Sequence, residues 1–200
     1  MPPMVAADLK APCDVMPASL VRSPLPARYS VDETFHQRIR RETRAAHDVV
    51  DGAMSFFDLK NAKAYARFLS HHDHALARLS CQVREEDEPD IQGMIDHIHA
   101  DLRVLGVGRA ANALTDEPLD GFGVAYVLRG SRMGARVLRA RIGPGLPTHY
   151  MDFTPALAWR EFRAALEMHA ASVPETGRRH IIASAQRAFE AFGSVPDSMA

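Results

Sequence analysis

The 200-residue sequence has few of the features that mark secreted, membrane-spanning or cysteine-bound metal proteins. Its two cysteines, Cys13 and Cys81, form no Cys-x-x-Cys or Cys/His spacing, which argues against a disulfide framework and a metal site of that kind. No apolar run approaches the ~18 residues of a membrane helix. The N-terminus lacks the basic start and apolar core of a signal peptide. We therefore expect a cytoplasmic protein without membrane association.

An excess of charge of one sign is also missing. The 24 Lys and Arg residues nearly balance the 25 Asp and Glu residues, so the formal net charge is −1. This balance argues against broad electrostatic binding to nucleic acid, although it permits a local basic patch. The sequence contains no G-x-S-x-G element, P-loop or dinucleotide-binding fingerprint, so these motifs support neither a hydrolase nor a nucleotide-binding function.

The chain divides into a proline-rich start and a long helical region. Residues 1–30 predict an extended or disordered N-terminal arm, and residues 31–195 predict one all-α domain, a multi-helical bundle. Strand alternation, internal repeats and long heptads are absent from the pattern. Helical spacing predicts six main helices, at about 32–51, 61–82, 91–105, 119–141, 154–171 and 174–192, with Asn61 as an N-cap.

Two glycines interrupt the fourth predicted helix within YVLRGSRMGARVL. Gly130 and Gly134 share one face with Tyr126 and Leu138, four residues apart in each step. Each glycine costs a helix roughly 1 kcal/mol relative to alanine. A bare stripe of this length has two explanations, a neighbouring helix packed against it or a flat ligand lying against the backbone.

A histidine on the first predicted helix adds to the second explanation. His47 lies on the inward stripe of that helix. A haem is a flat ligand, and its iron most often takes a neutral imidazole as axial ligand. A lone histidine on an apolar face is otherwise an ordinary core residue, so both readings of His47 stay open from spacing alone.

The remaining histidine groups do not predict a metal site. Successive residues on a helix point about 100° apart, so His71, His72 and His74 of HHDH cannot share one face well. Asp96, His97 and His99 have the same problem. A di-iron bundle would need Glu-x-x-His pairs, and Glu167 and His169 have the wrong spacing for one.

Several stretches together resemble the haem oxygenase family, in particular the bacterial haem oxygenases that accompany phytochrome photoreceptors. The N-terminal part of that family is similar to RRETRAAHDVVDGAMSFFDL and YARFL, and its distal helix is similar to GVAYVLRGSRMGARVL. Its last helices resemble AWREFRAAL and AQRAFEAF, in the same order. The resemblance covers roughly residues 33–193, nearly all of the predicted helical region.

The resemblance implies a haem that is both cofactor and substrate. His47 then matches the axial ligand to the iron, and Gly130 and Gly134 match the distal glycines that leave room for dioxygen. Members of the family use dioxygen and external electrons to convert haem to biliverdin, carbon monoxide and free iron. The implied partners are a redox donor, such as a ferredoxin or a reductase, and a bacteriophytochrome that takes up the bilin.

Haem propionates need cations, and the sequence offers several. Arg40 and Arg44 precede His47 by seven and three residues, and Arg160 matches a propionate-binding arginine of the family by resemblance. Tyr126, at the end of the glycine row, joins this predicted haem-binding set. For each arginine the alternative is a solvated surface charge.

Two residues depart from the family pattern. Ser131 stands where many haem oxygenases have an aspartate, which organises water near bound dioxygen, and Ala135 stands where a further glycine is common. The photoreceptor-associated branch has a serine at the first of these positions. Two functions therefore remain: an active haem oxygenase with Ser131 among its catalytic residues, and a haem-binding or partner-binding protein of the same fold without turnover.

Overall fold

The structure, a computed structural model, describes residues 33–109 and 118–194; the predicted arm of residues 1–30 lies outside these ranges. The described residues form eight α-helices and two short 3₁₀ turns and contain no β-strand, which confirms the all-α prediction. Among them, no helix combines the length and the apolar character needed to cross a bilayer. The helices are α1 (Phe35–Glu42), α2 (Arg44–Ser55), α3 (Ala62–Leu79), α4 (Glu88–Val104), α5 (Gly121–Arg139), α6 (His149–Asp152), α7 (Trp159–Ser172) and α8 (Glu175–Gly193).

The first predicted helix is bent at Thr43 into α1 and α2. Backbone hydrogen bonds run through the bend, from Thr43 N to Ile39 O and from His47 N to Thr43 O. The Thr43 hydroxyl also donates to Ile39 O, at 2.7 Å, and such back-bonding by threonine often bends helices. His47 therefore lies one turn beyond the bend.

The fifth predicted helix begins later than the periodicity indicates. The prediction placed its start at residue 154, whereas α7 begins at Trp159. Pro155 disfavours helical backbone at the residue before it. The Asp90 carboxylate accepts hydrogen bonds from Ala156 N (2.7 Å) and Leu157 N (3.4 Å), which holds this segment against α4 instead.

The short helix α6 was missed in the sequence because a buried carboxylate creates it. Asp101 of α4 accepts hydrogen bonds from His149 N (3.0 Å) and Tyr150 N (2.9 Å). An anionic side chain that takes the first N–H groups of a helix stabilises its N-terminus. The Asn61 cap of α3, by contrast, is confirmed, since its side chain accepts from Lys63 N and Ala64 N.

The core is built around α5, which packs closely on α8. A Cβ added at Gly123 would lie 2.8 Å from Ser184 Cβ and 2.9 Å from Ala185 N, so this glycine allows the two backbones to approach. Fully buried apolar side chains from six of the helices form the core; they include Ile39, Phe68, Leu69, Leu76, Ile91, Met94, Ile98, Val124, Leu128, Phe162, Leu166 and Ile181.

A buried ion-pair cluster ties α5 to the segment that leads into α4. Arg129 of α5 lies 2.6 Å from Asp87 Oδ1 and 2.8 Å from Asp90 Oδ2, and it donates to Leu157 O at 3.1 Å. Arg84 pairs with the other oxygen of Asp87, at 2.6 Å. Two arginines thus neutralise two aspartates, which is the condition under which charges can be buried.

Removing one member of this cluster should destabilise the fold strongly. We expect Arg129→Met to lower the free energy of unfolding by about 3–5 kcal/mol, because Asp90 would lose its cation while buried. Arg139→Met, on the same helix, breaks an exposed pair with Asp152 and should cost less than about 1 kcal/mol. Urea unfolding followed by circular dichroism compares the two; equal losses would contradict the role given to the cluster.

Candidate functional site

A cavity of about 750 Å³ lies between α2 and α5 and is also lined by side chains of α1, α7 and α8. Its volume is within the range of small-molecule and cofactor sites, and its walls are mostly apolar. Residues from both predicted elements of the site, the His47 helix and the glycine helix, face it. The cavity is therefore the candidate functional site.

The two glycines of α5 face this cavity and do not pack against another helix. No described atom lies within 4 Å of a Cβ built at Gly134, and a Cβ at Gly130 meets only Trp159 Cη2, at 3.8 Å. Gly123, on the same helix, has the close helix contact that these two lack. The packing explanation therefore fails for Gly134, and the bare stripe is an open wall of the cavity.

His47 lies on the α2 side of the cavity. Its side chain is about half exposed, and its ring contacts Phe189 edge-on, with centroids 5.5 Å apart. Nδ1 lies 3.2 Å from Asp51 Oδ2, one helical turn later. A carboxylate at this distance favours the tautomer with the proton on Nδ1, which leaves the lone pair of Nε2 for a metal.

These features fit a haem. A flat macrocycle needs a slot, one strong axial ligand and a wall that leaves the other face of the iron accessible. Three imidazoles line the cavity, those of His36, His47 and His72, and His47 is the one on α2 opposite the glycines. Among the described residues, no group of three or more His, Cys, Asp or Glu side chains could hold a metal ion by itself. Side chains at Gly130 and Gly134 would fill the space opposite.

Positive charge gathers where α1 meets α7. The carboxylate of Glu167 on α7 accepts from Phe35 N (2.9 Å) and His36 N (2.7 Å), which holds the start of α1 against α7. His36, Arg40 and Arg163 all line the cavity. Burial and then the charge of Arg163 lower the pKa of His36. Neither Arg40 nor Arg163 forms a hydrogen bond or an ion pair with a described residue, so this part of the cavity can accept an anion.

Two of the predicted propionate partners lie outside the cavity lining. Arg44 is exposed and lies 3.7 Å from Asp48 on its own helix. Arg160 is exposed on α7, whereas Arg163 lines the cavity. Trp159 also lines it, and Arg163 is four residues after Trp159 and so shares its face. Helical spacing from Trp159 could have found Arg163 in the sequence.

Tyr126 lines the cavity, as the sequence led us to expect. It is buried beside Trp159 and His36, with ring centroids 5.8 and 6.2 Å away. Burial raises the pKa of Tyr126, so the phenol stays neutral near pH 7. It forms an aromatic wall at the corner where the unpaired arginines lie.

Ser131 lines the cavity, but its only hydroxyl proton is already used. Oγ donates to Leu128 O at 2.7 Å and accepts from Arg132 Nε at 3.3 Å. Arg132 also donates to Tyr150 O at 2.8 Å, and its guanidinium lies over the Tyr150 ring, 4.4 Å from the centroid. Toward the cavity, Ser131 thus offers an acceptor, and the nearby donor is Arg132.

Sequence reasoning gave no functional role to three residues that line the cavity: His36, His72 and Arg163. In the sequence, His72 was considered only with His71 and His74, as a group that does not predict a metal site. The structure buries it on α3 at the cavity wall, 8% exposed. A histidine at a helical spacing that predicts burial was the available signal.

Comparison with known proteins finds a bacterial relative. The chain is 30% identical over 148 residues to a protein of Xanthomonas campestris pv. campestris (strain 8004) named heme oxygenase. The aligned region spans 66% of this chain and 88% of the relative. No family model matches the chain.

The open wall predicts opposite effects for two glycine substitutions. In the haem-free protein, Gly134→Ala should raise the free energy of unfolding by up to about 1 kcal/mol, because alanine is the better helix former and no described atom opposes its Cβ. Gly123→Ala should lower it by about 1–3 kcal/mol through overpacking against α8. Urea unfolding measures both.

A haemin titration completes this test. Gly134→Ala should weaken haemin binding although it stabilises the free protein, since its methyl group enters the slot. If Gly134→Ala instead destabilised the protein as Gly123→Ala does, the stripe would serve helix packing.

Proposed function

The chain belongs to the haem oxygenase family, and on that premise we propose that it converts haem to biliverdin, carbon monoxide and ferrous iron in the cytoplasm. The substrates besides haem are dioxygen and electrons from an external donor. The observation that carries the proposal is the pairing of His47 with the bare wall of Gly130 and Gly134 across one cavity.

His47 would hold the iron from the α2 side. The bound haem supplies the redox chemistry with dioxygen, as cofactors generally do, and the protein supplies binding, orientation and electrostatics. Asp51 favours the Nδ1–H tautomer, so Nε2 would be the ligand atom. Since Gly130 and Gly134 carry no side chain, the α5 side of the cavity would leave room for a diatomic molecule.

The cationic corner would bind the propionates. Arg40 and Arg163 reach the cavity without an anionic partner among the described residues, and the His36 ring contacts the Trp159 ring edge-on, with centroids 5.9 Å apart. Arginine forms strong charge-assisted hydrogen bonds with carboxylates. A bound propionate would also favour the protonated form of His36, whose pKa is lowered in the free protein.

An electron donor would approach the exposed edge of the cavity. Met133 and Val137 of α5 line it while remaining 63% and 67% exposed. Arg136 lies between them in sequence and Arg141 lines the cavity one turn further. An apolar patch flanked by arginines suits an acidic redox protein, such as a ferredoxin or a reductase.

We further propose that the biliverdin serves a bacteriophytochrome as its chromophore. The support for this finer step is the Gly130–Ser131 pair, which resembles the photoreceptor-associated branch of the family. Mixing the reaction product with an apo-bacteriophytochrome tests it, because chromophore attachment gives a red-absorbing band.

One observation favours a second candidate, a haem-binding protein without turnover. Ser131 donates its hydroxyl proton to Leu128 O and carries no charge, so it cannot act as an aspartate does. Turnover then depends on Arg132 and on water for proton donation. The first experiment below distinguishes the two candidates.

The wild-type chain should bind one haemin and give a Soret band, and with reductant in air it should form biliverdin. His47→Ala should abolish or strongly alter that band, because the slot would lose its ligand. His74→Ala is the matched control, since His74 lies outside the cavity lining and should leave the spectrum unchanged.

Single-turnover spectroscopy decides between the candidates. A falling Soret band with rising biliverdin absorbance supports the enzyme. Normal haem binding without biliverdin formation would favour the binding protein, and an unchanged spectrum in His47→Ala would show that another group holds the iron.

A second prediction concerns the propionates. Arg163→Gln should weaken haemin binding several-fold, because it removes an unpaired cation from the cavity wall. Arg160→Gln, the same change three residues earlier on an exposed face, should leave the dissociation constant unchanged. Fluorescence quenching of Trp159 by haemin measures both; the reverse order would restore Arg160 as the propionate partner.

A further inference from the structure

The imidazole of His72 is a fixed hydrogen-bond acceptor in the wall of the cavity. Its Nδ1 lies 3.0 Å from the backbone oxygen of Phe68, one turn earlier on α3. A carbonyl oxygen can only accept, so the proton is on Nδ1. The other ring nitrogen, Nε2, therefore carries a lone pair.

The surroundings of His72 keep this arrangement rigid and uncharged. Its ring is packed by Phe68, Tyr150 and Phe192, with centroids 4.1, 5.8 and 5.4 Å away. Burial lowers the pKa of His72 to about 3, and the neighbouring His71 and Arg132 also oppose its protonation. Near pH 7 the side chain is neutral, and Nε2 only accepts.

His72 is connected to the glycine wall through one aromatic ring. The Tyr150 ring contacts the His72 ring, and the guanidinium of Arg132 lies over the same Tyr150 ring. Arg132 also donates a hydrogen bond to Ser131 Oγ. His72, Arg132 and Ser131 all line the cavity. This side of the cavity therefore has two acceptors, Ser131 Oγ and His72 Nε2, and one cationic donor.

We propose that Nε2 of His72 accepts a hydrogen bond from a water molecule in the cavity and thereby directs the water's other O–H toward the open face of the haem. This inference rests on the proposed function. A bound water with one hydrogen held by an acceptor has a defined orientation. His72 acts here as a positioning residue, which works through the water and exchanges no proton itself.

The test uses the ferric haem complex of the full chain and does not need turnover. Its readout is the midpoint pH of the absorption change between the acid form, with a water on the iron, and the alkaline form, with hydroxide. A water O–H that points at the iron-bound oxygen favours hydroxide, the form with fewer protons. His72→Leu should therefore raise the midpoint by roughly half to one pH unit, the worth of one hydrogen bond.

Two further variants separate positioning from folding. His72→Gln keeps an acceptor oxygen and should restore much of the wild-type midpoint and of the single-turnover rate, which His72→Leu should slow. His74→Leu, on the same helix but outside the cavity lining, should change neither. Circular dichroism and the haemin dissociation constant report whether each variant folds and binds.

The outcomes are distinct. Equal midpoints in His72→Leu and His74→Leu would overturn the proposal. So would a wild-type spectrum of two-histidine ligation that is lost in His72→Leu, since His72 would then bind the iron directly. A normal midpoint shift without biliverdin formation would overturn the proposed enzyme function alone, and a wild-type chain that binds no haemin would overturn both.

Discussion

The buried contact of Arg129 with Asp87 and Asp90 fixes the parts of the molecule that form the cavity. Arg129 immediately precedes Gly130, so its ion pairs set the rotation of α5 and hence the direction in which the glycine stripe faces. The same guanidinium binds Leu157 O, and Asp90 binds the backbone N–H groups of the segment before α7. The open wall and the helix that carries Trp159 and Arg163 are thus held by one charge cluster. Because a buried charge without its partner is costly, rotations of α5 that separate Arg129 from its aspartates are strongly disfavoured.

The glycine stripe weakens the helix that carries it, and the surrounding contacts offset that loss. Gly130 and Gly134 together cost α5 about 2 kcal/mol of helix propensity. At its N-terminus, Asp120 accepts hydrogen bonds from Phe122 N and Gly123 N, which stabilises the first turn. Gly123 then brings α5 against α8 over a close backbone contact. Stability is concentrated in the first half of the helix, so its second half can leave one face bare for a ligand.

Helical spacing was sufficient to predict the all-α fold and to single out His47, Gly130 and Gly134, which line one cavity. Its errors have physical causes. The start of the fifth helix was predicted at residue 154, whereas Pro155 and the distant Asp90 displace the start of α7 to Trp159. Arg160 came from the family resemblance and stays a prediction, although Arg163 is the arginine of α7 that lines the cavity. The Arg129 cluster joins residues about forty positions apart, and such pairings leave no periodic signal. The tautomer of His72 depends on a carbonyl one turn away and on three packed rings, none of which a single sequence specifies.

The electrostatics of the cavity explain how a serine can stand in the place of an aspartate. A carboxylate at Ser131 would pair with Arg132, the adjacent cation, and would draw it away from Tyr150 O. With serine, Arg132 keeps its contact with Tyr150, and the glycine side of the cavity keeps a positive charge. Arg132 lines the cavity, and such a cation would stabilise negative charge on a ligand bound at this side. The neutral acceptors Ser131 and His72 can then orient water without cancelling that charge, so orientation and charge stabilisation fall to different side chains.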